Sequence, residues 1–528
     1  MRRIVRTLRV RPIRETHVRK SNRRVEFGDF QTPPDLANRI CRFLFEQGVK
    51  PSSIVEPTCG KGNLLAAALG QFPSAVRAVG VDINPEHVEH ARGKLATRPY
   101  AAQVQVLQGD FFDVNWKEIL DDLPDPILVI GNPPWVTSAE LASLNSTNLP
   151  KKTNFREFSG LDAKTGKSNF DISEWMLIHI LEFLDERRAT MAMLCKTSVA
   201  RKVLGYTWKR SLGVRCSQIY LIDAKRAFGA SVDACLLVCD LSTGKPQDQI
   251  CYVYDGISRD AYQTTFGYKD GRIVANIEYY ERWKHLENGN VYEWRSGIKH
   301  DCSRVMELEK DMLGFRNNLG ELYDLETTYL YPMLKSSDVA NGTDVFHPRF
   351  PQPSRWMLVP QRSIGEDTTP IKHVAPKTWA YLIDHGNLLD RRRSSVYKGQ
   401  PRFSVFGVGE YSFSPWKVAI SGLYKKLHFT MAGPHGGKPV VLDDTCYFVP
   451  CQSKEEAQYL VDLLNSKIAK EFFEAFIFWD AKRPITATIL NRLSLVALAK
   501  EMGTEDRMME FLAARPSSSF HKQLALFQ

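Results

Sequence analysis

From residue 27 to 241, short apolar runs alternate with stretches whose apolar positions recur every three or four residues. The run Ser53-Ile54-Val55-Glu56, the segment 76–83 and the run Ile127-Leu128-Val129-Ile130 are largely apolar, whereas 103–107 alternates. Unbroken apolar runs of this length predict parallel strands covered on both faces. Residues 64–69 and 172–184 carry helical spacing. Strand–helix alternation of this kind predicts an α/β fold with a doubly wound, Rossmann-like sheet. The pattern changes after Ser242-Thr243-Gly244-Lys245-Pro246, where aromatics and charges interleave and the strand-like runs shorten. A second, β-rich α+β domain is therefore expected, since 528 residues exceed what one core organises. The expected organisation is a basic arm over 1–26, an α/β domain over 27–245 and the second domain over 246–528.

Charge narrows the class of partner. Seventy Lys and Arg against 60 Asp and Glu leave a formal +10, which favours an anionic macromolecule, nucleic acid above all. Residues 1–24 hold nine Arg and one Lys against one Glu, a composition suited to an arm lying on phosphates. No apolar run approaches the length of a membrane span. Ten cysteines occur without a Cys-x-x-Cys pair. Neither a disulfide framework nor a metal site is expected from them, and reduced thiols suit a reducing compartment.

Candidate chemistry gathers at the strand ends. The first strand ends in Glu56 and runs into Pro57-Thr58-Cys59-Gly60-Lys61-Gly62-Asn63, a small-residue turn before a helix. Its two glycines let backbone approach a ligand closely. The second strand ends in Asp82-Ile83, 26 residues beyond Glu56, where an acid can hydrogen-bond a ribose diol. The glycine spacing is not Gly-x-Gly-x-x-Gly and phosphate-cradling residues are missing, which points to a nucleoside without phosphates. The third strand leads into Gly109-Asp110-Phe111, a carboxylate for an exocyclic amine beside a ring to pack on the base. The fourth carries Gly131-Asn132-Pro133-Pro134-Trp135. An Asn side-chain oxygen and a backbone carbonyl can accept both hydrogens of a planar amine and push electron density onto its nitrogen. The prolines fix that backbone and offer no competing N–H. Trp135 offers a flat face to a base that has left its stack. All four motifs fall at carboxyl ends of successive strands, where open α/β sheets bind ligands.

In this order the motifs resemble those of the gamma-class S-adenosylmethionine-dependent amino-methyltransferases of DNA. Phe30-Gln31-Thr32-Pro33-Pro34 is similar to the family's upstream cofactor motif, which implies that Thr32 contacts the methionine carboxylate. The resemblance places Glu56, Thr58, Cys59, Gly60 and Gly62 around the methionine moiety, Asp82 and Ile83 at the ribose, and Asp110 and Phe111 at the adenine. Asn132, Pro133, Pro134 and Trp135 would bind and activate the target amine, with Trp where family members usually carry Tyr or Phe, and Asn132 would also border the cofactor. Phe228, within Lys225-Arg226-Ala227-Phe228-Gly229, would pack on the flipped base opposite Trp135. Residues 164–170 read as a polar lid and Asp171 as a helix cap. The implied cofactor is S-adenosylmethionine and the implied partner is double-stranded DNA. The implied setting is a bacterial or archaeal cytoplasm, near the nucleoid. There the protein would act as a monomer alongside a cognate restriction endonuclease or defence-system subunit.

Over 391–426 eight basic residues stand against one Glu: Arg391, Arg392, Arg393, Lys398, Arg402, Lys417, Lys425 and Lys426. Interleaved aromatics such as Tyr397, Phe403 and Tyr424 complete a composition suited to a DNA-facing surface. The segment from Tyr329 to Asp338 resembles the entry to the specificity domains of TaqI-like methyltransferases. His300-Asp301-Cys302 reads as structural, because sequence neighbours rarely meet as a triad. The expected activity is site-specific methylation of adenine N6 in duplex DNA after base flipping, within a restriction–modification or related defence system. Cytosine-N4 methylation, protein-glutamine N5 methylation and a catalytically silent DNA-specificity subunit remain as rival readings.

Overall fold

A computed structural model describes residues 31–136, 171–241, 249–258, 261–289, 291–341 and 355–515. The basic arm, Phe30 and the segment 164–170 lie outside the described residues. The chain divides into two compact units, Met1–Val274 and Ala275–Gln528.

In the first unit, α1 (Pro34–Glu46) opens with proline at its first position and Asp35 in its first turn. It buries Leu36, Ala37, Ile40 and Leu44 at helical spacing. Five parallel strands follow: β1 (Ser53–Glu56), β2 (Arg77–Asp82), β3 (Gln103–Gln108), β4 (Ile127–Gly131) and β5 (Ala189–Lys196). They lie in the order β3-β2-β1-β4-β5. All of β1 and β4 is buried, which is why Ile127–Ile130 reads as an unbroken apolar run, while β1 also buries Ser53 and Glu56. Linking helices are α2 (Asn63–Gln71), α3 (Pro85–Ala96), α4 (Trp116–Asp121), α5 (Ile172–Phe183) and α6 (Thr197–Arg210). Beyond β5 the chain forms β6 (Val214–Ile222), α7 (Ala224–Phe228) and β7 (Ala234–Leu241). β7 inserts antiparallel between β5 and β6.

The sheet does not stop at 245. β8 (Ile250–Tyr254) pairs in parallel with β6, and β9 (Thr264–Lys269) and β10 (Arg272–Val274) extend it as an antiparallel ribbon to ten strands. The expected boundary therefore moves to Val274. Among the described residues no helix stands between the last strands, so the strand–helix alternation ends before the sheet does.

The second unit is sheet-rich, as its short strand-like runs indicated. One sheet of six strands has Glu307–Asp311, Arg355–Leu358 and Leu330–Leu334 at its centre. A second, of four strands, is built on Trp416–Ser421 paired with Cys446–Cys451. No helix among the described residues is long and apolar enough to cross a membrane.

Candidate functional site

The carboxyl ends of β1, β2, β3 and β4 open onto a common cleft, at the edge where open α/β sheets bind ligands. Thr32, Glu56, Thr58, Cys59, Gly60, Asp82, Ile83, Asp110, Phe111, Asn132 and Pro134 all line it. Local chemistry explains the arrangement. Asp82 accepts the Gly60 N–H through Oδ2 at 2.7 Å and the Asn84 N–H through Oδ1 at 2.9 Å. Each oxygen keeps a second lone pair for a ligand hydroxyl. Gly60 has a φ of +50°, and a Cβ there would lie 2.6 Å from the Gln31 side chain. The positive φ favours glycine there, whereas the Gln31 amide sits at the end of a flexible side chain.

Glu56 lines the cleft and also has a structural part. It is buried and accepts the Leu65 N–H through Oε2 at 2.9 Å, tying β1 to the first turn of α2. Burial holds its carboxyl well above the usual carboxylate range. Burial likewise pushes the Cys59 thiol up, leaving it inert at neutral pH. Gly62 does not line the cleft. It precedes α2 with a φ of 73°, and a Cβ there would meet the Ala91 Cβ at 3.2 Å, so it serves close helix packing.

At the tip of β3, Asp110 accepts the Phe112 N–H at 2.9 Å through Oδ1, and its second oxygen can serve a ligand. The Phe111 ring is fixed by Trp116, centroids 5.2 Å apart, whose Nε1 donates to the Phe111 carbonyl at 2.8 Å. The Thr58 hydroxyl oxygen is buried with no hydrogen-bond partner among the described residues. A buried hydroxyl left so is costly, and at the wall of a cleft it points to a polar ligand atom. Two acids at successive strand tips, with no cluster of cations for phosphate among the described lining residues, fit an adenosine-type ligand.

Sequence reading missed Gln31, Asn63, Asn84, His87 and Met176 as lining residues. A local signal existed for two of them. Asn84 caps α3 by accepting the Glu86 N–H at 3.0 Å, and Asn-Pro directly after Asp82 marks that start. The cap sets His87 in the first turn, its Nδ1 3.5 Å from Asp82 Oδ1. Met176 arrives from α5, far along the chain, and has no such signal.

The loop after β4 is clamped from behind. Lys196, at the end of β5, donates through Nζ to the Trp135 carbonyl at 3.0 Å and to Asp171 Oδ2 at 2.6 Å. Asp171 caps α5 as its position indicated, Oδ1 accepting the Ser173 N–H at 3.2 Å. Trp135 itself is only 5% exposed and packs edge-on against Phe228, centroids 5.1 Å apart at 73°. The two rings expected to flank a base thus touch each other, and a base between them requires that they part.

The basic segment of the second unit is less available than its composition implied. Lys417 is 1% exposed and donates to the Ser414 carbonyl at 2.6 Å, so it is no phosphate contact. Arg392 donates to the carbonyls of Leu389, His300 and Ser404 and lies 3.9 Å over the Tyr397 ring, stapling the fold. Arg402 pairs with Asp390 at 2.9 Å. Arg391, Arg393, Lys398, Lys425 and Lys426 are exposed. The His300 ring accepts the Cys302 N–H at 3.1 Å, a structural bond as expected.

Burial pushes the Lys417 ammonium down to about 7 from an ordinary 10.5. The unfolded chain therefore binds this proton more tightly, and Lys417 penalises folding fully below pH 7, progressively less up to 10.5. Lys417→Met should raise the melting temperature by about 2 °C or more at pH 6. The gain should fade as pH approaches 10; a gain independent of pH in paired melts would contradict the assignment.

No family model matches the chain. The type II methyltransferase M.NspV of Nostoc sp. is 45% identical over 482 residues, covering 90% of this chain and 98% of that protein. The type II methyltransferase M.CvrRI of Paramecium bursaria Chlorella virus XZ-6E is 31% identical over 124 residues, 23% of this chain and 28% of that one. Among solved structures, the type IIL restriction-modification enzyme MmeI in complex with DNA matches with a TM-score of 0.51 at 12% identity. That match spans 90% of this chain and 67% of the other, a likeness of fold. With M.NspV as a relative over nearly its whole length, the chain belongs to the type II methyltransferases of restriction–modification, DNA-modifying enzymes that use S-adenosylmethionine.

Proposed function

We propose that the chain is a gamma-class, site-specific adenine-N6 DNA methyltransferase that flips its target base, with the second unit acting as a TaqI-like specificity domain. The observation that carries the reading is the place of Asn132. It stands directly beyond β4, on the wall of the cofactor cleft, followed by two prolines. When bound, S-adenosylmethionine supplies an electrophilic methyl group on a sulfonium sulfur. Asp82 would hold its ribose, Asp110 its adenine amine, and Thr32 and Thr58 its amino-acid part. Asn132 Oδ1 and the Pro133 carbonyl accept the two hydrogens of the target amine and concentrate charge on its nitrogen, which needs no covalent enzyme intermediate. Neither proline carries an N–H to compete for these acceptors. Extrusion of the base brings an otherwise stacked amine within reach.

Modification-sensitive sequencing of DNA from cells expressing the chain tests this reading. N6-methyladenine at one recurring motif is the expected mark. Methylated cytosine would reassign the base, and an unmarked genome would overturn the proposal.

A further inference from the structure

The helix that carries Phe228 has a second face. Asp223 caps α7 by accepting the Arg226 N–H at 2.9 Å, and the helix turns Ala224 and Phe228 into the core. Lys225 and Arg226 are exposed, and among the described residues neither side chain forms an ion pair or hydrogen bond. Two cations left uncompensated directly before the ring that touches Trp135 contrast with Arg392, Arg402 and Lys417, whose charges the second unit already uses.

The neighbouring strand adds aromatic surface on the same edge. β8 runs parallel to β6 with Tyr254 opposite Tyr220, so its carboxyl end opens where the ends of β4 and β5 do. Tyr254 stacks on buried Tyr220, centroids 4.8 Å apart at 17°. Tyr262 rests against Tyr252 at 5.2 Å and remains 52% exposed. From β4 to β8 the sheet order passes through β5, β7 and β6, a distance of about 20 Å at the usual strand spacing. Measured as rise along the axis of B-DNA, that length corresponds to about six base pairs. Among the described residues three acids adjoin this edge: Asp223, occupied as the helix cap, and exposed Asp233 and Asp255.

We propose that Lys225, Arg226 and Tyr262 form a phosphate-binding ledge for the DNA strand that carries the target base, beside the catalytic pocket. The proposal rests on the DNA-methyltransferase reading above and adds to it where the modified strand runs. The Lys225 ammonium and the Arg226 guanidinium neutralise backbone phosphates, and the Tyr262 hydroxyl donates to another. The fixed place of Lys225 and Arg226 on the Phe228 helix couples grip on the backbone to the position of the flipped nucleotide.

The test is equilibrium binding of the full chain, by fluorescence anisotropy, to a duplex of about 30 base pairs bearing its methylated motif, across a salt series. Replacing both cations, K225A with R226A, should lower the slope of log affinity against log salt by about 1.8, or about 0.9 per lost phosphate contact. Tyr262→Phe should weaken binding by about fivefold, the loss of one hydrogen bond. Unchanged S-adenosylmethionine affinity in both variants certifies the fold of the cleft. A wild-type chain that fails to bind duplex sinks the functional reading and the ledge together. Wild-type binding with an unaltered salt slope in the double variant sinks the ledge alone.

Discussion

Asn132→Ala should reduce the rate of methyl transfer by about a thousandfold, the scale of removing one preorganised partner of a developing charge. The Kd for S-adenosylmethionine should stay within about threefold, because uniform binding and chemistry are separable losses. The reason lies in the cleft. Asp82, Asp110 and Thr58 line it on the ends of other elements, and none depends on the Asn132 side chain for its hydrogen bonds. Single-turnover transfer of labelled methyl to duplex DNA, beside calorimetric titration of the cofactor, separates the two quantities. Parallel collapse of both would show that Asn132 holds the cofactor and leave the amine without its acceptor.

The second large effect is expected at Lys196. Its ammonium joins the Trp135 carbonyl to Asp171, whose side chain is 7% exposed, with the lysine side chain at 22%. Lys196→Met strands the carboxylate in a poorly solvated position, a loss of about 3 kcal/mol by analogy with broken buried pairs. For a domain of this size that is a fall of about 6 °C or more in melting temperature. Transfer should slow by more than about tenfold, since a displacement of about 1 Å at a catalytic loop is costly. Pairing Lys196→Met with Asp171→Asn discriminates packing from positioning. The asparagine still accepts the Ser173 N–H but carries no charge, so stability should return while the rate does not. Recovery of both would mean that the lysine merely balances Asp171 and leaves the loop indifferent to its anchor.

The site was legible where its chemistry is local. Asp82 ends its strand and Asp110 follows the next by two residues, and a carboxylate at a parallel strand end is placed at the ligand edge. Asp171 could be read as a cap from its place before a helical pattern. Gly60 could be read as a close approach, although its partner, Gln31, lies 29 residues earlier and was not foreseen. The role of Glu56 was not legible, because its bond to the Leu65 N–H depends on how α2 docks on β1. The end of the first unit was misplaced for a related reason. β8 to β10 join the sheet by pairing with β6 and with each other, and pairing between strands leaves no periodicity in either strand alone.

By itself, the order of residues determines the parallel strands, their turns and the four motifs at their tips, because strand period and turn chemistry act over a few residues. Only the tertiary structure decides which charges reach solvent. Arg392 finds the His300 carbonyl 92 residues away, Lys417 is sealed inside a sheet, and Lys225 and Arg226 stay uncovered on a helix whose other face is core. A count of basic residues weighs all of them alike. The free energy of a charge depends on its partners and its burial, and both are supplied by segments distant in sequence.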